Sequence, residues 1–227
     1  MELEERIKDV RLRLLRAETE ALRQPGTVKL LAVSKTQGID KIIRAYNAGL
    51  SAFGENYLQE ALIKINTLSY LPIEWHFIGP IQSNKAKKIA KNFSWVHSVY
   101  RNVIAEHLNL HRPSELPPLN VCLQLNLDED KEAGISPAKI AELINQVIIL
   151  PRLKLRGFMV IPAANLNEEQ QFHTFLQVRD MMTKFNTELG LNLDTLSMGM
   201  SDDMAEAVRA GSTMVRIGRA IFGERTA

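Results

Sequence analysis

The first candidate for chemistry is a lysine that directly follows a short apolar run. Residues 28–33 read VKLLAV, and Ser34 and Lys35 come immediately after them. If this run is a buried strand, Lys35 lies where a hydrophobic floor meets a polar mouth. Partial loss of hydration at such a position favours the neutral amine, which is the form that attacks carbonyl carbons. Lys35 is therefore a candidate for Schiff-base chemistry, and the alternative is a strand-end lysine that extends to solvent.

Residues 197–203, with the sequence SMGMSDD, have the composition of an anion site at a helix start. A glycine turn before a helix presents free N–H groups, which bind anions. Ser201 is predicted to cap the following helix, with Asp202 and Asp203 in its first turn. A well-capped helix with no ligand explains the same pattern.

A second anion-type segment, residues 216–219 with the sequence RIGR, follows the last predicted strand. Phosphate sites in β/α barrels commonly use the loops after the last two strands. Gly218 allows a backbone to approach a ligand closely. The two segments together favour a site for a phosphate group.

Other polar residues near predicted strand ends are Glu55, Asn56 and His76. A lone histidine in an apolar strand is more often a core or rim residue, so spacing alone gives His76 no acid–base role. The sequence has no Cys pair at metal-ligand spacing, no Ser-His-acid elbow and no nucleotide-binding glycine loop. We predict no metal site.

The elements that must position these residues alternate between strands and helices. An amphipathic helix is predicted over residues 3–23, and apolar runs predict strands near 28–33, 50–54, 74–78, 95–99, 120–127, 155–161, 193–197 and 213–217. Such alternation implies a parallel sheet, and about eight units in roughly 200 residues have the size of a closed barrel. We predict an α/β fold, a single (β/α)8 TIM-type barrel with an extra N-terminal helix, over residues 1–227. A doubly wound open sheet is the alternative.

Local signals predict several helix ends. Gly49 and Gly190 stand where a left-handed C-terminal residue is expected, and Ser136 followed by Pro137 is predicted to begin a helix. Because the carboxyl ends of barrel strands meet at one face, Lys35 and the two anion-type segments are expected to converge there.

Composition limits the possible partners. The chain has 227 residues, 45% of them hydrophobic and 24% charged, with a formal net charge of +2. No concentrated positive field suggests nucleic acid, and no apolar run approaches the roughly 18 residues that span a bilayer. The N-terminus does not have the pattern of a secretion signal. We expect a cytoplasmic monomer with no nucleic-acid or membrane partner, and a buried structural role for Cys122, the single cysteine.

Six motifs occur in a fixed order along the chain. They are AVSKT (32–36), FGENY (53–57), WHFIGPIQSNK (75–85), VHSV (96–99), SMGMSDD (197–203) and GSTMVRIG (211–218). As a set, they resemble the YggS/PROSC family of pyridoxal 5′-phosphate (PLP) homeostasis proteins. The resemblance implies a barrel like the N-terminal domain of alanine racemase, with PLP bound as an internal aldimine to Lys35.

The resemblance also implies a set of residues that contact the cofactor. Ser201, Gly218 and Arg219 would bind the phosphate, Arg216 would face the pyridine nitrogen, Asn56 would lie beside the ring, and Met200 and His76 would line the pocket.

Arg216 argues for a carrier of PLP and against an enzyme. A guanidinium opposite the ring nitrogen leaves that nitrogen unprotonated, and an unprotonated ring is a poorer electron sink. Alanine racemase shares such an arginine, but takes a second base from a separate domain and from its dimer. Ala227 follows soon after the last predicted strand, so we expect no second domain.

We therefore predict a protein that takes part in intracellular PLP (vitamin B6) and amino-acid homeostasis, with no catalytic residue. Apo PLP-dependent enzymes are the candidate recipients. A minimal PLP enzyme, such as a weak amino-acid racemase, is the main alternative. A barrel enzyme that acts on a phosphorylated metabolite without PLP is a more distant one.

Overall fold

The computed structural model describes residues 2–128 and 133–223; Met1, residues 129–132 and residues 224–227 lie outside the description. The strands in the described part are β1 (Lys29–Val33), β2 (Ala52–Glu55), β3 (Glu74–Phe77), β4 (Trp95–Val99), β5 (Leu119–Leu125), β6 (Leu153–Val160), β7 (Thr195–Ser197) and β8 (Met214–Ile217). The helices there are α1 (Leu3–Glu20), α2 (Ile39–Asn47), α3 (Leu58–Thr67), α4 (Ala86–Asn92), α5 (Asn102–His111), α6 (Ile140–Ile148), α7 (Glu168–Leu189), α8 (Met204–Arg209) and α9 (Arg219–Phe222). Short 3₁₀ helices at Ser83–Lys85 and Pro137–Lys139 precede α4 and α6.

The strands form a closed barrel in which each strand pairs in parallel with the next and β8 pairs with β1. Val33 lies opposite Gly54 in the β1–β2 pair, and Ala32 lies opposite Ile217 in the β1–β8 pair. The loops after β1, β2 and β8 therefore leave the barrel at the same face. The predicted (β/α)8 barrel with an extra N-terminal helix is confirmed.

The barrel strands are short and mostly apolar because both of their faces are buried. Inside the barrel, Leu31, Ala52 and Met214 form one small cluster, and Trp95, Cys122 and Met159 form another. A larger core lies outside the barrel, between the strands and the surrounding helices. Cys122 is fully buried, as predicted, and burial raises the pKa of its thiol to about 12.

Helix α1 packs one apolar face against α2, α8 and α9. That face consists of the residues at helical spacing that the sequence singles out: Leu3, Ile7, Val10, Leu14 and Ala17. Glu18 accepts hydrogen bonds from the backbone N–H groups of Gly26 and Val28 and so joins the end of α1 to the start of β1. No helix within the described residues is both long and apolar enough to cross a membrane.

The helix ends follow the predictions only in part. Gly49 and Gly190 have φ values of 88° and 62°, the left-handed conformation that was predicted. Ser136 is the N-cap residue of the 3₁₀ helix that leads into α6, with Pro137 directly after it, so the predicted helix start is confirmed, while the Ser136 side chain makes no capping hydrogen bond. Pro137 at the first position fixes φ and needs no N–H partner, which is sufficient to begin that turn.

Candidate functional site

A cavity of about 570 Å³ opens at the carboxyl ends of the barrel strands, and we call it the mouth cavity. Its size is typical of a pocket for a small molecule or cofactor. It brings together seven of the eight residues predicted from the sequence, namely Lys35, Asn56, Met200, Ser201, Arg216, Gly218 and Arg219. The other lining residues are five apolar ones, Val33, Ile78, Met159, Ile161 and Phe222, and two polar ones, Gln37 and Asp202.

Lys35 lies in a tight turn at the end of β1. The preceding residue, Ser34, is fully buried, and its N–H donates to the carbonyl oxygen of Gly54 at 3.0 Å. The following residue, Thr36, has a φ of 64°, a left-handed conformation that is uncommon for a residue other than glycine. Backbone strain of this kind occurs most often beside functional groups and persists only where neighbouring contacts fix it.

Four buried or half-buried polar side chains behind this turn fix it in place, and we call them the lysine–glutamate cluster: Ser34, Glu55, Glu60 and Lys64. Lys64 Nζ donates to the Ser34 carbonyl oxygen and to Glu55 Oε1 at 2.7 Å each, and to Glu60 Oε1 at 2.5 Å. The Ser34 hydroxyl donates to Glu55 Oε1 at 2.6 Å, and Thr36 N–H donates to Glu60 Oε1 at 2.7 Å. The cluster therefore binds both residues that flank Lys35.

Burial also governs the charge state of the cluster. It raises the pKa of the Glu55 carboxyl, while the ammonium of Lys64 opposes that shift. A buried ion pair of this kind contributes little net stability, but the loss of one partner leaves an uncompensated charge. The ammonium of Lys64 is thus held in place by the carboxylates that it neutralises.

Arg216 is the buried cation of the mouth cavity. Its guanidinium donates to the Ser197 carbonyl oxygen, to Ser197 Oγ at 3.1 Å and to the Val160 carbonyl oxygen at 3.0 Å. Burial lowers its pKa to about 10, and the nearby Asp203 carboxylate opposes that shift. The group therefore remains charged at neutral pH, and these bonds restrict its orientation.

Ser201, Gly218 and Arg219 lie together at one side of the mouth cavity. The N–H of Ala220, in the first turn of α9, donates to Ser201 Oγ at 3.4 Å. Arg219 forms an ion pair with Asp202 in which both side chains are exposed. A Cβ added to Gly218 would lie 3.2 Å from the Val33 carbonyl oxygen, so glycine allows β1 and the start of α9 to approach closely.

The predicted cap at Ser201 is wrong in its target. Helix α8 begins at Met204, so Asp202 and Asp203 precede it, and the side chain that closes the turn is Asp203, which accepts a hydrogen bond from Met200 N–H. Gly199, with a φ of 98°, turns the chain so that residues 200–202 reach the mouth cavity. Ser201 is left to contact α9.

Asn56, after β2, and Met200, after β7, both border the cavity. The side-chain oxygen of Asn56 is buried and has no hydrogen-bond partner. A buried amide oxygen without a partner costs free energy unless a ligand or water satisfies it. Met200 is 36% exposed, which is high for a large apolar side chain beside a cavity.

His76 is not among the residues that line the mouth cavity. It is fully buried in the barrel interior, where it bonds to Glu74 and His97 and stacks on Trp95 with ring centroids 5.4 Å apart. Because it lies in the middle of β3, it points into the barrel below the strand ends.

Three polar residues beside Lys35 were not predicted: Glu60, Lys64 and Gln37. Glu60 and Lys64 are four residues apart on α3, a spacing that normally indicates an exposed helical ion pair. The sequence held one signal for the role of Lys64. Glu55 lies at a predicted strand end, and a carboxylate that is buried there requires a cation nearby. Gln37 is buried at the cavity and accepts a hydrogen bond from Lys41.

Comparisons with known proteins agree with the geometry. A family model for "Alanine racemase, N-terminal domain" matches residues 10–226. The pyridoxal phosphate homeostasis protein of Pseudomonas aeruginosa is 50% identical over 222 residues, which cover 97% of this chain and 95% of that protein. The chain belongs to the pyridoxal phosphate homeostasis protein family. The family member from Escherichia coli K12 is 48% identical over 223 residues, which cover 96% of this chain and 95% of that protein.

Solved structures extend the family comparison. PipY from Synechococcus elongatus, solved with PLP bound, is 36% identical and superposes with a TM-score of 0.87, covering 98% of this chain and 100% of PipY. Alanine racemase from Corynebacterium glutamicum is only 16% identical, with a TM-score of 0.68 that covers 96% of this chain and 62% of the racemase. The second likeness is one of fold. The barrel of this homeostasis-family protein therefore corresponds to only part of a racemase.

Proposed function

We propose that this protein binds PLP in the mouth cavity as a Schiff base on Lys35 and serves intracellular PLP and amino-acid homeostasis without catalytic turnover. The single observation that carries the proposal is the convergence of an amine, a buried guanidinium and an anion-type corner on one cavity. Lys35, Arg216, and the group of Ser201, Gly218 and Arg219 supply these three features.

Lys35 is the proposed site of covalent attachment. PLP supplies an aldehyde that condenses reversibly with amines, with loss of one water, and a ring that withdraws electrons from the product. The lysine–glutamate cluster fixes the turn on both sides of Lys35, so the amine is presented to the cavity from a defined backbone position. Lys64 lies behind the same turn, but three oxygen atoms already accept its hydrogen bonds.

The phosphate group fits the corner formed by Ser201, Gly218 and Arg219. That corner offers a hydroxyl, a closely approaching backbone and a cation, which are the usual partners of a phosphate. Asp202 restrains Arg219 through their ion pair. Among the described residues, three cations (Lys35, Arg216 and Arg219) and one carboxylate (Asp202) line the cavity, which favours an anion there.

The ring fits the space between Arg216 and the apolar wall. Arg216 carries a fixed donor group into a cavity whose floor includes Val33, Ile78 and Met159. The buried side-chain oxygen of Asn56, which has no hydrogen-bond partner, is an acceptor that a donor group of a bound ligand or water would satisfy.

Arg216 also supports the choice of a carrier. A charged guanidinium disfavours a second positive charge beside it, so the ring nitrogen stays unprotonated and the ring withdraws electrons less strongly. Its pKa of about 10 keeps the guanidinium charged in the physiological range. Apo PLP-dependent enzymes are the proposed recipients of the cofactor.

The main alternative is a minimal PLP enzyme, and the shared fold with alanine racemase is the observation that favours it. Two measurements separate the carrier from the enzyme. The purified protein should develop the visible absorption band of a Schiff base with PLP, and should bind pyridoxal, which lacks the phosphate, far more weakly.

The PLP-loaded protein is then incubated with single L-amino acids. Chiral analysis should detect no D-isomer, and mass analysis should detect no keto acid. Turnover of a specific amino acid at about 1 s⁻¹ or faster, an ordinary enzymatic rate, would overturn the carrier proposal. Failure of the visible band to form would overturn PLP binding itself.

A further inference from the structure

A continuous line of hydrogen bonds runs through the barrel interior from its amino end to the mouth cavity. Glu74 Oε1 lies 2.7 Å from His76 Nε2, and His76 Nδ1 lies 2.9 Å from His97 Nε2. His97 Nδ1 lies 2.7 Å from Ser197 Oγ, which lies 3.1 Å from Nη1 of Arg216. We call these five side chains the histidine relay.

The two ends of the relay fix the direction of every bond in it. The Arg216 guanidinium can only donate, and an ionised Glu74 carboxylate can only accept. His76 must therefore donate from Nε2 to Glu74 and accept at Nδ1, so His97 donates from Nε2 and accepts at Nδ1. Ser197 then gives its single hydroxyl proton to His97 and accepts from Arg216. Each of the four bonds has one proton.

The relay functions only with neutral histidines. A second proton on either ring would place two N–H groups, or an N–H and an O–H, against each other. Burial lowers the pKa of His76 to about 4 and that of His97 well below its ordinary value. Burial raises the pKa of Glu74, but hydrogen bonds from His76 and Lys29 outweigh it and set the value at about 2.

The relay connects two different environments. Its middle is dry and tightly packed, because His76, His97 and Ser197 are fully buried. Its amino end is partly open, since the side chain of Glu74 is 37% exposed and pairs with Lys29. Its carboxyl end is Arg216, which lines the mouth cavity. A carboxylate near the opposite surface is thus joined to the cavity's buried cation.

We propose that Glu74 is a positioning residue for Arg216 and acts through His76, His97 and Ser197. The fixed bond direction leaves Ser197 Oγ as an acceptor toward Arg216, which restricts the rotation of the guanidinium in the cavity. The relay itself is a property of the chain. Its effect on the cofactor rests on the proposed function, in which Arg216 faces the PLP ring.

The first test needs no cofactor. Nitrogen-15 NMR of the apo-protein should find both buried histidines as neutral Nε2–H tautomers, with unprotonated Nδ1 atoms. An Nδ1–H tautomer or a charged ring at either position would overturn the relay, because the direction of its bonds would differ. Glu74→Gln keeps an acceptor oxygen toward His76, so the tautomers should persist in it, whereas Glu74→Leu removes the acceptor and should abolish the fixed tautomer signature.

The second test measures the effect at the cavity. Glu74→Leu and Ser197→Ala should each shift the visible band of the PLP-loaded protein and weaken PLP binding, by about two- to tenfold for coupled groups. The double variant should show less than the product of the two single effects. Asp180→Asn is the matched control, since Asp180 is an exposed carboxylate on α7 that pairs with Arg179, away from the relay. It should move neither readout.

The outcomes distinguish the two proposals. A wild-type protein with no visible band would contradict the proposed function, while the tautomer result would still test the relay. A wild-type band that Glu74→Leu leaves unmoved, or effects that multiply independently in the double variant, would overturn the positioning role and assign Glu74 to barrel stability alone.

Discussion

The two ends of the barrel handle charge in different ways. At the amino end, Lys29 pairs with Glu74 and Arg156 pairs with Asp194, so these cations and carboxylates neutralise each other. At the carboxyl end, Arg216 donates to neutral oxygen atoms of Ser197 and Val160 and keeps its charge within the cavity. The amino-end charges are thus neutralised within the chain, whereas the charge of Arg216 remains available to a ligand, even though Arg219 at the same end pairs with Asp202.

A second contrast lies between two lysines near the same turn. Lys64 is 3% exposed and donates to three oxygen atoms of the lysine–glutamate cluster. Lys35 is half-buried and lines the mouth cavity. A position near this turn is therefore not sufficient to make a lysine a candidate nucleophile; the lysine must also line the cavity. The contrast predicts that substitution of Lys64 affects stability first and that substitution of Lys35 affects the cofactor first.

The largest expected effect is at Lys35. Lys35→Ala should abolish the visible band with PLP, because Lys35 is the one lysine among the described residues that line the cavity. Absorption spectra of the variant mixed with PLP measure this, and circular dichroism should show an intact barrel. A full-strength band in the variant would mean that another lysine carries the cofactor.

The next largest effect is at Lys64. Lys64→Met should lower the free energy of unfolding by about 3–5 kcal/mol, because it leaves the buried Glu55 carboxylate without its cation. Urea denaturation followed by fluorescence measures this. Lys184→Met is the matched control, since Lys184 is an exposed helical lysine four residues from Glu188 and should change stability by less than about 0.5 kcal/mol. Equal effects of the two variants would contradict the contrast between a cluster and a surface pair.

Ser201 should have a smaller effect that is specific to the phosphate. Ser201→Ala should weaken PLP binding by about 1.5–3 kcal/mol, the range for one hydrogen bond to a charged group. Titration with pyridoxal provides the control, since a ligand without phosphate should bind the variant and the wild type equally. An equal loss for both ligands would place the phosphate away from Ser201.

The smallest effect belongs to the amino end. Asp194→Asn breaks a largely exposed ion pair with Arg156 and should cost at most about 1 kcal/mol of stability. PLP binding should not change, because Asp194 lies at the end of the barrel away from the cavity. Thermal unfolding and PLP titration of the same sample check both statements. A marked loss of PLP affinity would contradict the distinction between the two ends of the barrel.

The sequence predicted the fold well because its signals are local and repeated. Each apolar run that was predicted as a strand overlaps one of β1 to β8, and the glycines at 49 and 190 adopt the left-handed conformation. Signals at helix starts were weaker. Ser136 stands at the predicted N-cap position, but Ser201 does not cap α8, because capping depends on where the helix begins and α8 begins three residues after Ser201.

The site residues that lie at strand ends could be predicted from the sequence. The residues whose position depends on tertiary packing could not. Lys35, Asn56 and Arg216 follow from the rule that strand ends converge, aided by family resemblance. Lys64 was missed because an i, i+4 acid–base pair usually lies on a surface, and only the tertiary fold buries this one beside Glu55. His76 was assigned to the pocket, but its position within β3 directs it into the barrel interior.

The most direct test of the account is to identify the lysine that carries PLP. Borohydride reduction of the PLP-loaded protein, followed by proteolysis and mass spectrometry, should find a single pyridoxyl group on the peptide that contains Lys35. A label on Lys64, Lys85 or another lysine, with Lys35 unmodified, would contradict the account.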